Sequence, residues 1–204
     1  MGASMMPVFV RAILLSAVLL LAGCGVNNIP TYEQEAKAKW SEVQNQYKRR
    51  SDLIGNLVET VRGFADQEKS VFTQVAEARS KAASVQIPAD IVTNPEAMKK
   101  FQDAQATLGG ALRQLLSVSE RYPDIKSGTN FLALQSEIAG TENRIAIARR
   151  DYIEAVRAYN TEISTIPGRW WRSLMYKGSK EMAPFDIPVE ETKVPKVDFG
   201  PRKP

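Results

Sequence analysis

Because the 204-residue chain holds no histidine and a single cysteine, its chemistry must come from carboxylates, lysines, tyrosines and serines. A Ser-His-Asp or Cys-His arrangement cannot be built, nor can a zinc site of the histidine or paired-cysteine kinds. Glu142 and Asp151 are carboxylates of the type that serves acid–base work. Nine residues apart on one helix, they stand about 13 Å apart along its axis, too far to act together unaided. Arg50 and Glu68 stand out for another reason, since each interrupts an otherwise apolar helical stripe. An unpaired buried charge is costly, so each must pair or reach water along its stem. Asp52, Glu142, Arg144 and Arg149 are candidate partners, with Asp52 and Glu142 nearest Arg50 by register. Such a cluster is either an ionic network that fixes helix register or a polar site that binds something, and the structural role is the one expected. No catalytic residue, metal ligand or non-covalent cofactor is assigned.

The cysteine, Cys24, closes an 11-residue apolar run, Ala12 to Ala22, that follows Arg11. A charged start and a short apolar stretch describe a secretory signal. The run is short for a membrane-spanning helix, which needs roughly 20 apolar residues. Leu21-Ala22-Gly23-Cys24 resembles the bacterial lipobox, in which the thiol takes a diacylglyceryl group, the chain is cut before the cysteine, and the new amine is acylated. Residues 1–23 are therefore expected to be removed and Cys24 lipidated. Three acyl chains, at about 0.8 kcal/mol per buried CH₂, hold a membrane far better than one. Where a cell has two membranes, Gly25 after the cysteine predicts the periplasmic face of the outer one.

Long helices must position these residues. After a tether at 24–31, Thr31 with Gln34 forms a capping-box signature. A heptad then runs from Trp40 to Val85, with 12 of its 14 a and d positions apolar where composition alone gives about six. Pro88 ends it. Asn94-Pro95 starts a second helix with Phe101, Leu108 and Leu115 at a positions, and Pro123 stops it. A third begins near Thr129, carries Phe131, Ile138, Ile145, Tyr152, Tyr159 and Ile166 at a positions, and ends at Pro167-Gly168. The first helix would measure roughly 80 Å and the second roughly 40 Å. The first is therefore expected to break or kink near Ser51–Asn56, at Gly55, unless its membrane-proximal end stays unpaired. The predicted fold is all-α: an antiparallel up-and-down bundle of three long helices plus a short fourth, over residues 32–168.

Residues 169–183 open with Arg169-Trp170-Trp171-Arg172. Trp170, Trp171 and Arg172 are candidates for membrane contact, or else pack against the bundle end. Residues 184–204 hold five prolines and no period, which predicts an extended tail. The chain's charge of +4 falls to +3 when Arg11 leaves with the signal. This weak excess suits anionic lipid head groups and is no nucleic-acid signature.

Three stretches carry a resemblance to the LemA family of bacterial envelope proteins: Arg49–Val58 in the first helix, Tyr122–Lys126 with Asn130-Phe131 at the turn, and Gly140–Ala146 with Asp151-Tyr152 in the third. Gly55 stands where the family often has proline, and Gln67 and Ile153 replace a common His and Asn. The resemblance implies a helical bundle facing away from the cytoplasm and brings no established activity or cofactor. The expected role is a membrane-tethered, non-enzymatic interaction or scaffold module with envelope proteins as partners. The alternatives are a lipid- or cell-wall-binding module and a carboxylate-dependent enzyme.

Overall fold

The stripe that starts at Trp40 is carried by two helices, α1 (Asn28–Arg62) and α2 (Lys69–Ser84). They belong to a computed structural model that describes residues 25–185 except Phe64, Asp66 and Gln86. A 3₁₀ turn (Ile91–Thr93), α3 (Pro95–Glu120), the one-turn α4 (Pro123–Lys126), α5 (Thr129–Ser164) and α6 (Gly168–Leu174) follow. Residues 1–24, with the expected lipidation site Cys24, and residues 186–204 lie outside the described residues.

Local chemistry explains most boundaries. The Asn94 Oδ1 accepts the Ala97 N–H at 3.1 Å and Pro95 follows at the first helical position, so α3 starts where the cap and the proline place it. The Thr31 capping box is not used. Helix α1 begins four residues earlier than that cap would place it, with Pro30 in its first turn where no intrahelical N–H partner is required, and the Thr31 hydroxyl donates to the Asn27 carbonyl. Ile29 is fully buried, so the tether is shorter than 24–31.

The break expected near Ser51–Asn56 is not there. Helix α1 runs unbroken through Gly55, and the chain turns at residues 63–68 instead. Leu53, Ile54, Leu57 and Val58 are buried on both sides of Gly55 and hold the helix in place. The missing side chain at Gly55 serves contact rather than bending: a Cβ there would stand 2.7 Å from the Arg79 Nη2 of α2. The Arg79 Nε is buried without a hydrogen-bond partner, so its flexible side chain can leave at little cost. Gly55→Ala should therefore stabilise the protein by about 0.5–1 kcal/mol, the helix-propensity gain, as read by chemical denaturation.

The four long helices form an up-and-down bundle. Contacts of α1 with α5 step in opposite directions, from Asn28–Glu162 through Lys39–Asp151 to Arg49–Glu137, so these two are antiparallel along most of their length. Helix α2 packs on α3. Helices α1 and α3 run parallel, with Trp40 and Tyr47 against Phe101 and Arg50 against Gln105. Two apolar clusters fill the interior. One gathers Ile29, Trp40, Tyr47, Phe101, Tyr152 and Tyr159. The other gathers Ile54, Leu57, Leu108, Leu115, Phe131 and Ile138. Arg50, Gln105 and Thr141 are buried polar residues at the level where one cluster gives way to the other.

Two assignments near the C-terminal end change. Ile166, expected at a core position, is 64% exposed because α5 ends at Ser164, and Ile163 is buried instead. Met182, Ala183 and Phe185 belong to the first core cluster, so packing extends past residue 168 and into the start of the expected tail.

Candidate functional site

Arg50 leaves α1 at a point where α3 and α5 close over it, and its side chain is 6% exposed. Its Nη2 donates to the Gln105 carbonyl at 2.9 Å and to the Gln105 Oε1 at 2.8 Å. Its Nη1 meets the Glu142 Oε1 at 3.2 Å, and the guanidinium lies over the Tyr47 ring. The Glu142 side chain is 45% exposed, so this ion pair has one dry partner and one wet one. The Arg50 Nε is buried with no partner among the described residues. The Gln102 Nε2, one turn before Gln105, is likewise buried and unpaired.

These groups line a groove of about 600 Å³ along the seam between α3 and α5. Its floor and walls include Leu112, Leu116, Ile138 and Ile145, and Phe185 lines it together with Tyr47. Arg113 and Arg149 join Arg50 around it, so three guanidiniums face one carboxylate. Arg149 also covers the Phe185 ring at 5.2 Å. Hollows of similar size between α2 and α3, about 630 and 670 Å³, lack such buried unpaired donors.

Of the five charges singled out in the sequence, Arg50, Glu142 and Arg149 converge at this groove. Asp52 is exposed and makes no ion pair among the described residues. Arg144 is exposed and donates to the buried Thr141 hydroxyl at 3.1 Å. Glu68, the other interruption of the stripe, sits at the start of α2, where it pairs with Arg121 at 3.1 Å and accepts from the Tyr122 hydroxyl. Gln102, Gln105 and Arg113 were not anticipated, since amides on a helix read as solvated positions. The small residues Ala106, Gly109 and Gly110 were the available signal of room beside α3. Tyr152 and Tyr159 are core residues, as expected. Burial raises both hydroxyls above the ordinary tyrosine range, opposed at Tyr159 by a Ser179 hydrogen bond, and the Tyr152 hydroxyl donates to the Ala183 carbonyl. Among the described residues no cluster of three or more metal-ligating side chains forms.

Helix α6 separates the aromatic and basic candidates. Trp171 packs partly buried against the core, and the Arg172 Nε donates to the Ser179 carbonyl at 3.1 Å. Trp170 points outward, 62% exposed, in company with Ile166, Leu174 and Met175. Gly168 pins this element to the bundle, because a Cβ there would collide with the Glu162 carbonyl oxygen. Gly25 lies at the same end: a Cβ on it would stand 3.6 Å from the Pro167 Cγ.

Fold and groove define an up-and-down four-helix bundle with a partly open seam between α3 and α5. The LemA family model matches residues 39–199, and the chain belongs to the LemA family. It is 28% identical over 166 residues to magnetosome protein MamQ 2 of Paramagnetospirillum magneticum, covering 74% of this chain and 60% of that one. To magnetosome protein MamQ of Magnetospirillum gryphiswaldense it is 25% identical over 185 residues, 82% of this chain and 67% of that one. Protein LemA of Metamycoplasma hominis is 24% identical over 139 residues, 68% of this chain and 59% of that one. The chain thus spans about 60% of the length of the first of these relatives. Among the described residues no helix is long and apolar enough to cross a membrane.

Proposed function

We propose that the protein is a lipid-anchored, non-enzymatic interaction module of the bacterial envelope, which stands on the membrane through Cys24 and offers the α3–α5 groove to an acidic, extended segment of another envelope protein. One observation carries the anchoring. The residue after Cys24 lies against Pro167, beside an exposed apolar patch of Ile166, Trp170, Leu174 and Met175. A lipid on Cys24 brings that patch to the bilayer, where an amphipathic Trp and apolar neighbours gain by leaving water. Trp170 takes the membrane contact in this arrangement, whereas Trp171 and Arg172 hold α6 together. Glu142 lies 22 residues before the end of α5, so the groove stands about 33 Å above that end. Guanidiniums and buried amide donors over an apolar floor supply recognition chemistry, and the one carboxylate there is held by Arg50. In a two-membrane cell Gly25 directs the protein to the periplasmic face of the outer membrane.

Flotation with anionic liposomes tests the anchoring. Mature acylated protein should float, and Cys24→Ser should reduce the bound fraction at least tenfold. Adding Trp170→Ala and Leu174→Ala should weaken the residue of binding three- to tenfold further. An unmodified Cys24 within an intact N-terminus, seen by mass spectrometry, would end the lipid reading, and equal binding of the two non-acylated forms would remove the patch from the membrane. For the groove, a photo-crosslinking residue at Gln135 should capture an envelope protein in cells, and one at the exposed Thr73 should not. Equal capture at both positions would remove the groove from the proposal.

A further inference from the structure

Arg50 uses its two outer nitrogens unequally. Nη2 donates twice to Gln105, whereas Nη1 donates to the Glu142 Oε1 at 3.2 Å and keeps a second N–H without a partner among the described residues. Gly109, one turn after Gln105, marks the space beside that N–H. A Cβ at Gly109 would stand 3.9 Å from the Arg50 Nη1 and 4.0 Å from the Arg113 Nη1, so at most the sum of those distances separates the two charged nitrogens. Arg113 arrives there because helical side chains lean towards the preceding turn: it lies back over Gly109 and Gly110, with its Nη2 3.9 Å from a Cβ built at Gly110. It makes no ion pair among the described residues. Two guanidiniums from different helices thus converge over an absent side chain, halfway along the α3 wall of the groove. The carboxylate beside them among the described residues is Glu142.

We propose that Gly109 marks a carboxylate subsite, in which an Asp or Glu side chain of the acidic partner sits between Arg50 and Arg113 and takes the Arg50 Nη1 over from Glu142. The proposal rests on the groove being a site for acidic extended segments and names the group that it reads. A carboxylate fits the spacing because its two oxygens accept from two nitrogens at once, one on each guanidinium. Glu142 is a resident acid that yields easily. Its side chain is 45% exposed and returns to water, while the Arg50 side chain, 6% exposed, stays in place on Gln105. Exchange of one carboxylate for another keeps the buried guanidinium paired, which avoids the cost of an unpaired buried charge. Leu112, Leu116, Ile138 and Ile145 line the approach, so the acid is read between apolar neighbours, and a bare inorganic anion gains nothing from these walls.

The peptide acetyl-Leu-Glu-Leu-amide, set against acetyl-Leu-Gln-Leu-amide, tests the subsite on the full mature chain carrying Cys24→Ser. The Nε–Hε resonances of Arg50 and Arg113 report occupancy by NMR. The acidic peptide should bind about tenfold more tightly than its amide counterpart, since only the carboxylate makes charge-assisted hydrogen bonds to both guanidiniums. Glu142→Gln should tighten the acidic peptide about threefold, because it removes a like charge from the edge of the subsite. Arg113→Gln should abolish most of the preference for the acid. Arg157→Gln, the same change of charge at an exposed position of α5, should keep it, with circular dichroism confirming equal helicity in all variants. Equal affinity for the two peptides, or equal losses in Arg113→Gln and Arg157→Gln, would overturn the subsite. Unchanged affinity in Glu142→Gln would overturn the exchange with Glu142, and tighter binding of inorganic phosphate than of the acidic peptide would overturn its assignment to a carboxylate between apolar residues. Capture at Gln135 in cells judges the groove separately. Capture without a preference for the acid removes the subsite and leaves the groove, whereas the preference without capture removes the protein partner.

Discussion

Arg50→Ala should lower the unfolding free energy by about 2–4 kcal/mol, with little of that loss coupled to Glu142. The guanidinium makes two hydrogen bonds to Gln105 inside the bundle, and hydrogen bonds to a charged group contribute roughly 1.5–3 kcal/mol each when their partners are dry. Truncation also removes a buried aliphatic stem, at about 0.8 kcal/mol per methylene. Release from the cost of burying the charge offsets part of both. The Glu142 side chain is nearly half exposed, so it regains water when Arg50 is lost, and exposed pairs contribute about 0–1 kcal/mol. The 3–5 kcal/mol typical of breaking a fully buried pair does not apply here.

A double-mutant cycle reads these components separately. Coupling between Arg50→Met and Glu142→Gln should be below about 1 kcal/mol, and coupling of Arg50→Met with Gln105→Ala should be larger. Arg50→Met keeps the stem and should cost less than Arg50→Ala. A coupling to Glu142 of 3 kcal/mol or more would mean that the pair, not the amide, satisfies the guanidinium. Unchanged stability in Arg50→Ala would make Arg50 a contact residue with no structural role.

Helical periodicity was legible because burial follows it closely: Trp40, Val43, Tyr47, Ile54, Leu57 and Val61 are all core residues. The same regularity hid the break between α1 and α2. The connection at residues 63–68 replaces nearly one heptad, so Val75 and Ala78 keep the phase of α1 although they lie on another helix. Gly55 drew the break towards itself because a glycine inside a helix reads as weakness, whereas here it makes room for Arg79. The pairing of Arg50 and of Glu68 followed from the cost of buried charge, but the choice of partner did not. Glu142 meets Arg50 across 92 residues and Asp52 does not, a distinction set by how far α5 approaches α1. The groove itself depends on α3 and α5 standing apart, which no property of either helix alone encodes.

Phe185→Ala should be among the most damaging aromatic truncations in the C-terminal third, lowering the unfolding free energy by about 3 kcal/mol and the melting temperature by roughly 6–12 °C. The ring is 5% exposed, with centroids 5.9 Å from Trp40, 6.5 Å from Tyr47 and 6.0 Å from Tyr152, and Arg149 lies over it. Burying a Phe among such neighbours is ordinarily reversed at a cost of 3–5 kcal/mol. The lower end applies because Phe185 borders the open groove, where side chains can relax and water can enter. The segment could also detach locally instead of unfolding the bundle, which would cap the loss. Hydrogen exchange distinguishes the two outcomes at the Met182 and Ala183 amides, which donate to Asn160 and to the Val92 carbonyl. Local detachment predicts faster exchange there with α1 and α5 unaffected, and global loss predicts faster exchange in the helices too. Trp170→Ala is the internal control: a larger ring seven residues after Ile163 but 62% exposed, it should change stability by no more than about 0.5 kcal/mol. If Phe185→Ala and Trp170→Ala proved equally mild, Phe185 would not be part of the core.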